Sequence, residues 1–325
     1  MKKLFLKCLV YAILIVLTLE VYVRIFHLTK DYPSRYIDEY GVEKWMPNQS
    51  GYSVTGNRRQ NFSEYNINNS GFNSYREYNP TKDKTEIALV GDSFIEGFHQ
   101  NYYNSIGKKI ENIIKGIDVY EFGYAGYDFA DQLHLVHSYQ EKFKLIDHVV
   151  FGLKFENDLT RPEYNVVQDR VRLESTLYKN LRKVKILVYT QSIGIIDPIK
   201  QVPSKLISFF KGNKNKKKVV TEKEDLLKEE VEHKKYLKNF KSLIDIYGYD
   251  KSRYTLLINK EKTPKVFLEY LESNNFNYID FSEVMNNANK PTTLVFDKHW
   301  NNLGRDLISK LIVDYLRKND YSSSL

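Results

Sequence analysis

The stretch from Glu86 to Gly97 narrows the possible folds of this chain more than any other. Ile87, Ala88, Leu89 and Val90 form a short apolar run, Gly91-Asp92-Ser93 reads as a tight turn, and from Phe94 an amphipathic segment continues through Ile106, Ile110, Ile113 and Ile114. A buried strand that feeds directly into a helix belongs to a layered α/β arrangement, and it leaves Ser93 at a strand end where a helix begins. A hydroxyl there lies beside backbone N–H groups that the helix cannot pair internally and near the positive end of its dipole, so negative charge developing nearby is stabilised. Serine is also a preferred N-cap, and Gly-Asp-Ser a common loop sequence, so the turn takes its meaning from the rest of the chain.

Downstream of Ser93 the chain alternates strand-like and helix-like patches, the signature of a parallel α/β sheet. Residues 118–122 predict a second strand, then the loop Gly123-Tyr124-Ala125-Gly126 and a helix near 129–143. Residues 148–155 predict a third strand ending at Glu156-Asn157-Asp158, and 254–258 and 276–281 two more, with a helix near 265–272 between them. The last helix is expected at about 303–316, with Leu307, Ile308, Leu311, Ile312 and Tyr315 at helical spacing. Between Asp158 and Ser252 runs a long excursion whose second half is highly charged. It reads as an exposed helix docked by a narrow stripe of Leu226, Leu227, Val231 and Leu237, an insertion beside the active face or a lid.

The N-terminus is basic through Lys2, Lys3 and Lys7, then unbrokenly apolar from Cys8 to Leu19, with no small-residue cleavage pattern. The apolar pattern continues past Glu20 and Arg24 to Phe26, and a helix from residue 4 to 26 would be about 35 Å long, enough to cross a bilayer. We therefore expect an uncleaved, single-pass signal anchor over residues 1–30, with the basic end inside and the remaining chain on the extracytoplasmic side; Arg24, Lys30 and Arg35 reduce that charge asymmetry. The alternative is a buried or amphipathic helix of a soluble protein. Residues 31–82 read as an irregular, partly β linker segment between anchor and main domain, and 83–325 as that main, catalytic domain, with the charged helical insertion at about 159–252.

With 42% hydrophobic and 28% charged residues among 325, the chain does not have a disordered composition. Its net charge of +8 is concentrated in the run Lys211 to Lys218, which reads as a solvated loop; without zinc-finger spacing or a P-loop, nucleic acid is not an expected partner. A lone cysteine, Cys8, forbids a disulfide framework or cysteine metal site within one chain. His134 and His137 lie three apart on an expected helix and His148 on a strand, but no clear third ligand joins the first two. We expect no metal and no cofactor.

Acyl transfer by a serine needs a base, a group that orients the base, and donors for the tetrahedral oxyanion. Asp297-Lys298-His299 puts a carboxylate two residues before a histidine just ahead of the last helix, so Asp297 could hold the tautomer of His299 while its other nitrogen faces Ser93. The competing reading is an Asp N-cap beside a surface histidine. Asn157 could aim an amide N–H at the oxyanion, and Gly126 could present a backbone N–H unobstructed.

In their order, Gly91-Asp92-Ser93-Phe94, Gly123 to Gly126, Glu156-Asn157-Asp158 and Asp297-Lys298-His299-Trp300 resemble the four blocks of the SGNH/GDSL hydrolases. The resemblance covers roughly residues 83–325 and implies a three-layer α/β/α fold with a flavodoxin-like parallel sheet. It implies Ser93 as nucleophile, His299 as base, Asp297 as its partner, and an oxyanion hole from Ser93, Gly126 and Asn157. Glu121 stands where an Asn usually opens the second block, and Phe155 where a Gly often precedes the third block's Asn. The Asp-x-His-Trp block and the N-terminal anchor are similar to the alginate and peptidoglycan O-acetylation branch and to membrane-anchored relatives found with surface-polysaccharide genes. The resemblance thus implies an esterase or O-acetyltransferase acting on a cell-surface polysaccharide or other acylated glycan, with a membrane acyl-donor protein as a candidate partner. The alternative is a non-catalytic carbohydrate-binding or scaffold protein on the same fold.

Overall fold

The computed structural model describes residues 1–56, 59–195 and 222–319, of which 222–227 by backbone alone. The basic run at 211–218 therefore lies outside the described residues.

The apolar run becomes strand β5 (Glu86–Gly91), which is buried along its whole length. Ile87 and Leu89 face one side of the sheet and Ala88 and Val90 the other, each pair joining a separate apolar cluster, as a strand covered on both faces requires. Four short strands precede it: β1 (Arg35–Ile37), β2 (Glu43–Trp45), β3 (Ser50–Thr55) and β4 (Asn61–Asn66), paired antiparallel as β1 with β2 and β3 with β4. Beside β5 lie β6 (Asp118–Gly123), β7 (His148–Gly152), β8 (Tyr254–Ile258) and β9 (Tyr278–Asp280). The order is β6-β5-β7-β8-β9 with every pairing parallel. This is the flavodoxin-like order that the resemblance implied, and it puts the topological switch point beside β5, at the carboxyl end that carries Ser93.

Helices cover both faces. On the side of Ile87 and Leu89 lie α3 (Ile106–Ile113) and the last helix, Asn302–Lys318, through Ile106, Ile110, Ile308 and Ile312. The opposite face carries α4 (Phe129–Ser138) and the long helix Glu222–Tyr247, whose Phe240 stacks on Phe129 with centroids 5.3 Å apart. In chain order the helices are α1 (Lys2–Ile25), α2 (Ser93–Glu96), α3, α4, α5 (Gln140–Phe143), α6 (Phe155–Asp158), α7 (Gln168–Arg172), α8 (Thr176–Lys183), α9 (Lys185–Ser192), α10 (Glu222–Tyr247), α11 (Lys265–Ser273), α12 (Ser282–Asn286) and α13 (Asn302–Lys318). Of these, α1 is long and apolar enough to span a membrane.

The structure departs from the expectations in several places, and the strand expected at 276–281 is confined to β9 (Tyr278–Asp280). The helix expected over 129–143 breaks at Tyr139, whose hydroxyl bonds Asp38 and accepts from Lys44 Nζ (2.6 Å), leaving α4 and α5. The third strand stops at Gly152 rather than 155, because the Lys154 N–H donates to Asp158 Oδ2 (2.7 Å) and the chain turns into α6. On α10, Leu237 packs against the core as expected and Val231 is exposed; the helix is anchored chiefly by Phe240 and Leu243, both fully buried, while the side chains of Leu226 and Leu227 lie outside the description.

The segment before β5 is packed into the main core. Trp45 lies against Tyr124 and Phe98, at 4.7 and 5.7 Å between centroids, and Phe72 meets Phe122 edge-on.

Candidate active site

Parallel strands leave their carboxyl ends as a row of loops, and three of these converge around Ser93. Asp92 is the N-cap of α2, its Oδ1 accepting the Phe94 N–H (2.9 Å), which fixes the turn and leaves Ser93 as the first helical residue. Gly91 and Gly123 are register partners at the ends of β5 and β6. A Cβ on Gly123 would sit 1.8 Å from the backbone nitrogen of Glu96, so only glycine lets α2 lie across the end of β6.

From the far end of the chain comes His299, whose Nε2 is 2.8 Å from Ser93 Oγ. Asp297 lies behind it: its Oδ1 accepts the His299 backbone N–H (3.0 Å) and stands 3.4 Å from His299 Nδ1. The two face together through a left-handed Lys298 (φ 61°) that turns the chain between them. Trp300 fixes this loop, meeting Phe94 and Phe281 edge-on at 4.7 and 5.5 Å. Burial lowers the His299 pKa from its ordinary value, against the raising influence of Asp297 and Asp92.

The candidate oxyanion donors occupy the flanking loops. Gly126 follows β6 in the left-handed region (φ 92°), and an added Cβ would face the Arg170 guanidinium at 3.4 Å. Asn157 is exposed on α6, after β7, on a hollow of about 250 Å³ that it shares with Lys154, Asn259 and Thr263. Among the described residues neither makes a hydrogen bond to Ser93. Glu121, the unusual residue of the second block, points away from the site: its buried carboxylate accepts the Gly107 N–H (3.0 Å) at the start of α3.

Three participants were not singled out from the sequence. His99 stacks on His299 (centroids 3.8 Å, 18° between planes), and its Nε2 lies 2.9 Å from Asp297 Oδ2, off the direction of an aligned hydrogen bond. Burial, with the His299 and Arg305 charges, outweighs Asp297 and pushes the His99 pKa down to about 4. His99 is therefore neutral at pH 7. Lys154 pairs with Asp92 Oδ2 and sits 3.8 Å above the Phe94 ring. Glu96, fully buried, accepts from Trp45 Nε1 (2.7 Å) and the Ala125 N–H (3.1 Å), so it ties the loop of Gly126 to β2. No local pattern in the sequence marks His99, Lys154 or Glu96.

His99, Asp297 and His299 bring three ligand-type groups within 4.8 Å, the one such group among the described residues. A ring nitrogen binds a metal ion in the plane of its ring at about 2.1 Å, and two nearly parallel stacked imidazoles cannot both meet that condition at one ion. His134, His137 and His148 lie elsewhere: His134 stacks on Tyr164 and reaches the Tyr40 carbonyl, His137 meets the Tyr247 carbonyl, and His148 is buried in β7.

No protein-family model matches the chain, and no curated protein matches it. Among solved structures it is similar to a lipase/acylhydrolase from Enterococcus faecalis, at 13% identity and a TM-score of 0.38 over 72% of this chain and 96% of that one. It is also similar to a lipolytic G-D-S-L family protein from Veillonella parvula, at 11% and 0.39 over 72% and 99%. A third is a catalytic mutant of Axe2, an acetylxylan esterase from Geobacillus stearothermophilus, at 13% and 0.36 over 74% and 96%. The chemistry of the site rests on its own atoms. A serine hydroxyl at a helix N-terminus, bonded to a partly buried imidazole that a carboxylate flanks, has the parts of an acyl-transfer centre.

Proposed function

We propose that the chain is a serine-dependent ester hydrolase or O-acyltransferase, acting on acetyl esters of a cell-envelope carbohydrate from the outer side of a membrane that α1 spans. The observation that carries this reading is the 2.8 Å contact of Ser93 Oγ with His299 Nε2 at the carboxyl edge of the sheet. In the reaction, His299 takes the proton as Ser93 attacks the acyl carbonyl, and Asp297 stabilises the imidazolium. The backbone N–H groups of Ser93 and Gly126 and the Asn157 amide are the donors we assign to the oxyanion. His299 then returns its proton to the leaving alcohol and activates the acceptor. Water as acceptor makes an esterase, and a sugar hydroxyl a transferase.

The outer-face placement rests on the basic residues at the start of α1.

The full chain in detergent should be labelled by a fluorophosphonate and should hydrolyse p-nitrophenyl acetate, and Ser93→Ala should lose both. Labelling that persists in Ser93→Ala would exclude the serine mechanism. In a deletion strain, a rise in surface-glycan O-acetyl content indicates an esterase and a fall a transferase; no change removes the envelope glycan as substrate.

A further inference from the structure

A cavity of about 680 Å³ shares no lining residue with the serine site and lies between the end of α1, the start of the β segment and the helices α8 and α9. Its lining includes five cations, Arg24, Lys179, Arg182, Lys183 and Lys185, against one carboxylate, Asp31. Several are partly compensated: Lys185 pairs with Asp31 (2.5 Å), Arg24 with Glu20 (2.5 Å) and Lys179 with Glu174 (3.1 Å). Arg182 is 3.9 Å from Glu174 and lies over the Tyr32 ring, while among the described residues Lys183 Nζ reaches only the Asn180 side-chain oxygen at 3.5 Å. The cavity therefore keeps an excess of positive charge, at the place where α1 meets the folded domain.

Beside it α8 presents an apolar stripe that no other element covers among the described residues. Leu177, Tyr178, Leu181 and Val184 are 66, 48, 42 and 44% exposed, at the spacing of one helix face, and Leu187 of α9 extends them. Next to them α9 packs on α1, which is itself exposed along nearly its whole length. Glu20 of α1 joins the two, accepting the backbone N–H groups of Lys185 (3.0 Å) and Ile186 (2.7 Å) at the start of α9. Glu20 lies five residues before the end of α1, so α9 starts within about 8 Å of that end along the helix axis. Apolar stripe, bordering lysines and arginines, and exposed tyrosines together form the pattern of a helix lying in a bilayer interface.

We infer that α8 and α9 form an interfacial shelf that lies on the bilayer beside α1, and that the cavity takes the phosphate of an anionic phospholipid headgroup. The inference rests on α1 spanning a bilayer. Phosphate is the chemistry the arginines and lysines fit, and a lipid is the source because its acyl chains would cover the stripe of Leu177, Leu181 and Val184 that a free phosphate leaves wet. The shelf would hold the domain at a set height and tilt, where a tether alone would let it swing.

The test uses the full chain in nanodiscs of phosphatidylcholine, with or without phosphatidylglycerol, and lipids spin-labelled near the glycerol backbone. An environment-sensitive fluorophore is placed on native Cys8, on Leu181→Cys or on Lys234→Cys, the latter two with Cys8→Ser. The probe at 181 is expected to be quenched, more so with phosphatidylglycerol, and the probe at 234 unquenched. Native mass spectrometry should show retained phosphatidylglycerol in preference to phosphatidylcholine. Arg182→Glu and Lys183→Glu should each reduce that preference about fivefold while melting as the parent does. Quenching at Cys8 but not at 181 overturns the shelf, and no quenching at Cys8 overturns the bilayer reading on which it rests. Equal retention of both lipids, or retention of inorganic phosphate in detergent without lipid preference, overturns the headgroup assignment.

Discussion

Ser93 depends on groups that reach it from separate loops, and each makes a separable prediction. Replacing Ser93 or His299 by alanine should lower the kcat of acetyl-ester hydrolysis at least about a thousandfold, since nucleophile and base act as one unit. Burial lowers the His299 pKa, and the base must be neutral, so the acid limb of the kcat/KM profile should have its midpoint below pH 6.5; a midpoint above it would contradict the buried imidazole. His99, with a pKa of about 4, acts in the same direction on stability. The unfolded chain binds a proton at the ordinary 6.5 and the folded one only near 4, so the contribution of His99 is full above 6.5 and is lost as pH falls to 4. In thermal unfolding of the full chain, His99→Gln should weaken the loss of Tm over that window. Its stacking on His299 further predicts a fall in kcat of about tenfold with KM nearly unchanged.

At the level of elements, the site depends on how closely α2 lies on β6. Gly123→Ala forces a Cβ into the backbone of Glu96; the shift should cost about 3 kcal/mol in denaturant unfolding and reduce activity, because Ser93 and the Gly126 loop move with it. Glu96 gives the opposite pH signature to His99. Burial raises its pKa to about 7 from 4.5, so its contribution is full below 4.5 and is lost as pH rises through 7. Glu96→Gln keeps acceptors for Trp45 and Ala125 and should therefore melt higher than the parent at pH 8 and equally at pH 5.

Across the whole molecule, residues 31–82 are part of the domain's core rather than a mere spacer. Trp45 packs on Tyr124 and Phe98 and bonds Glu96, which bonds Ala125. Trp45→Ala should cost about 3–5 kcal/mol and, through the displaced 123–126 loop, lower activity in molecules that remain folded, which activity and denaturation curves on one preparation would show. The sequence by itself determined the buried strand β5, the turn that puts Ser93 at a helix start, the α/β class and the apolar reach of α1. All of these are written in local periodicity, which spans a turn or a strand at a time. Only the tertiary structure decided that Tyr139 breaks a helix, that α10 docks through Phe240 rather than Val231, and that His99, Lys154 and Glu96 surround the serine. Ser93 and His299 are 206 residues apart, and the stacking of His99 on His299 comes from where the chain closes on itself, a property that no short window of residue spacing contains.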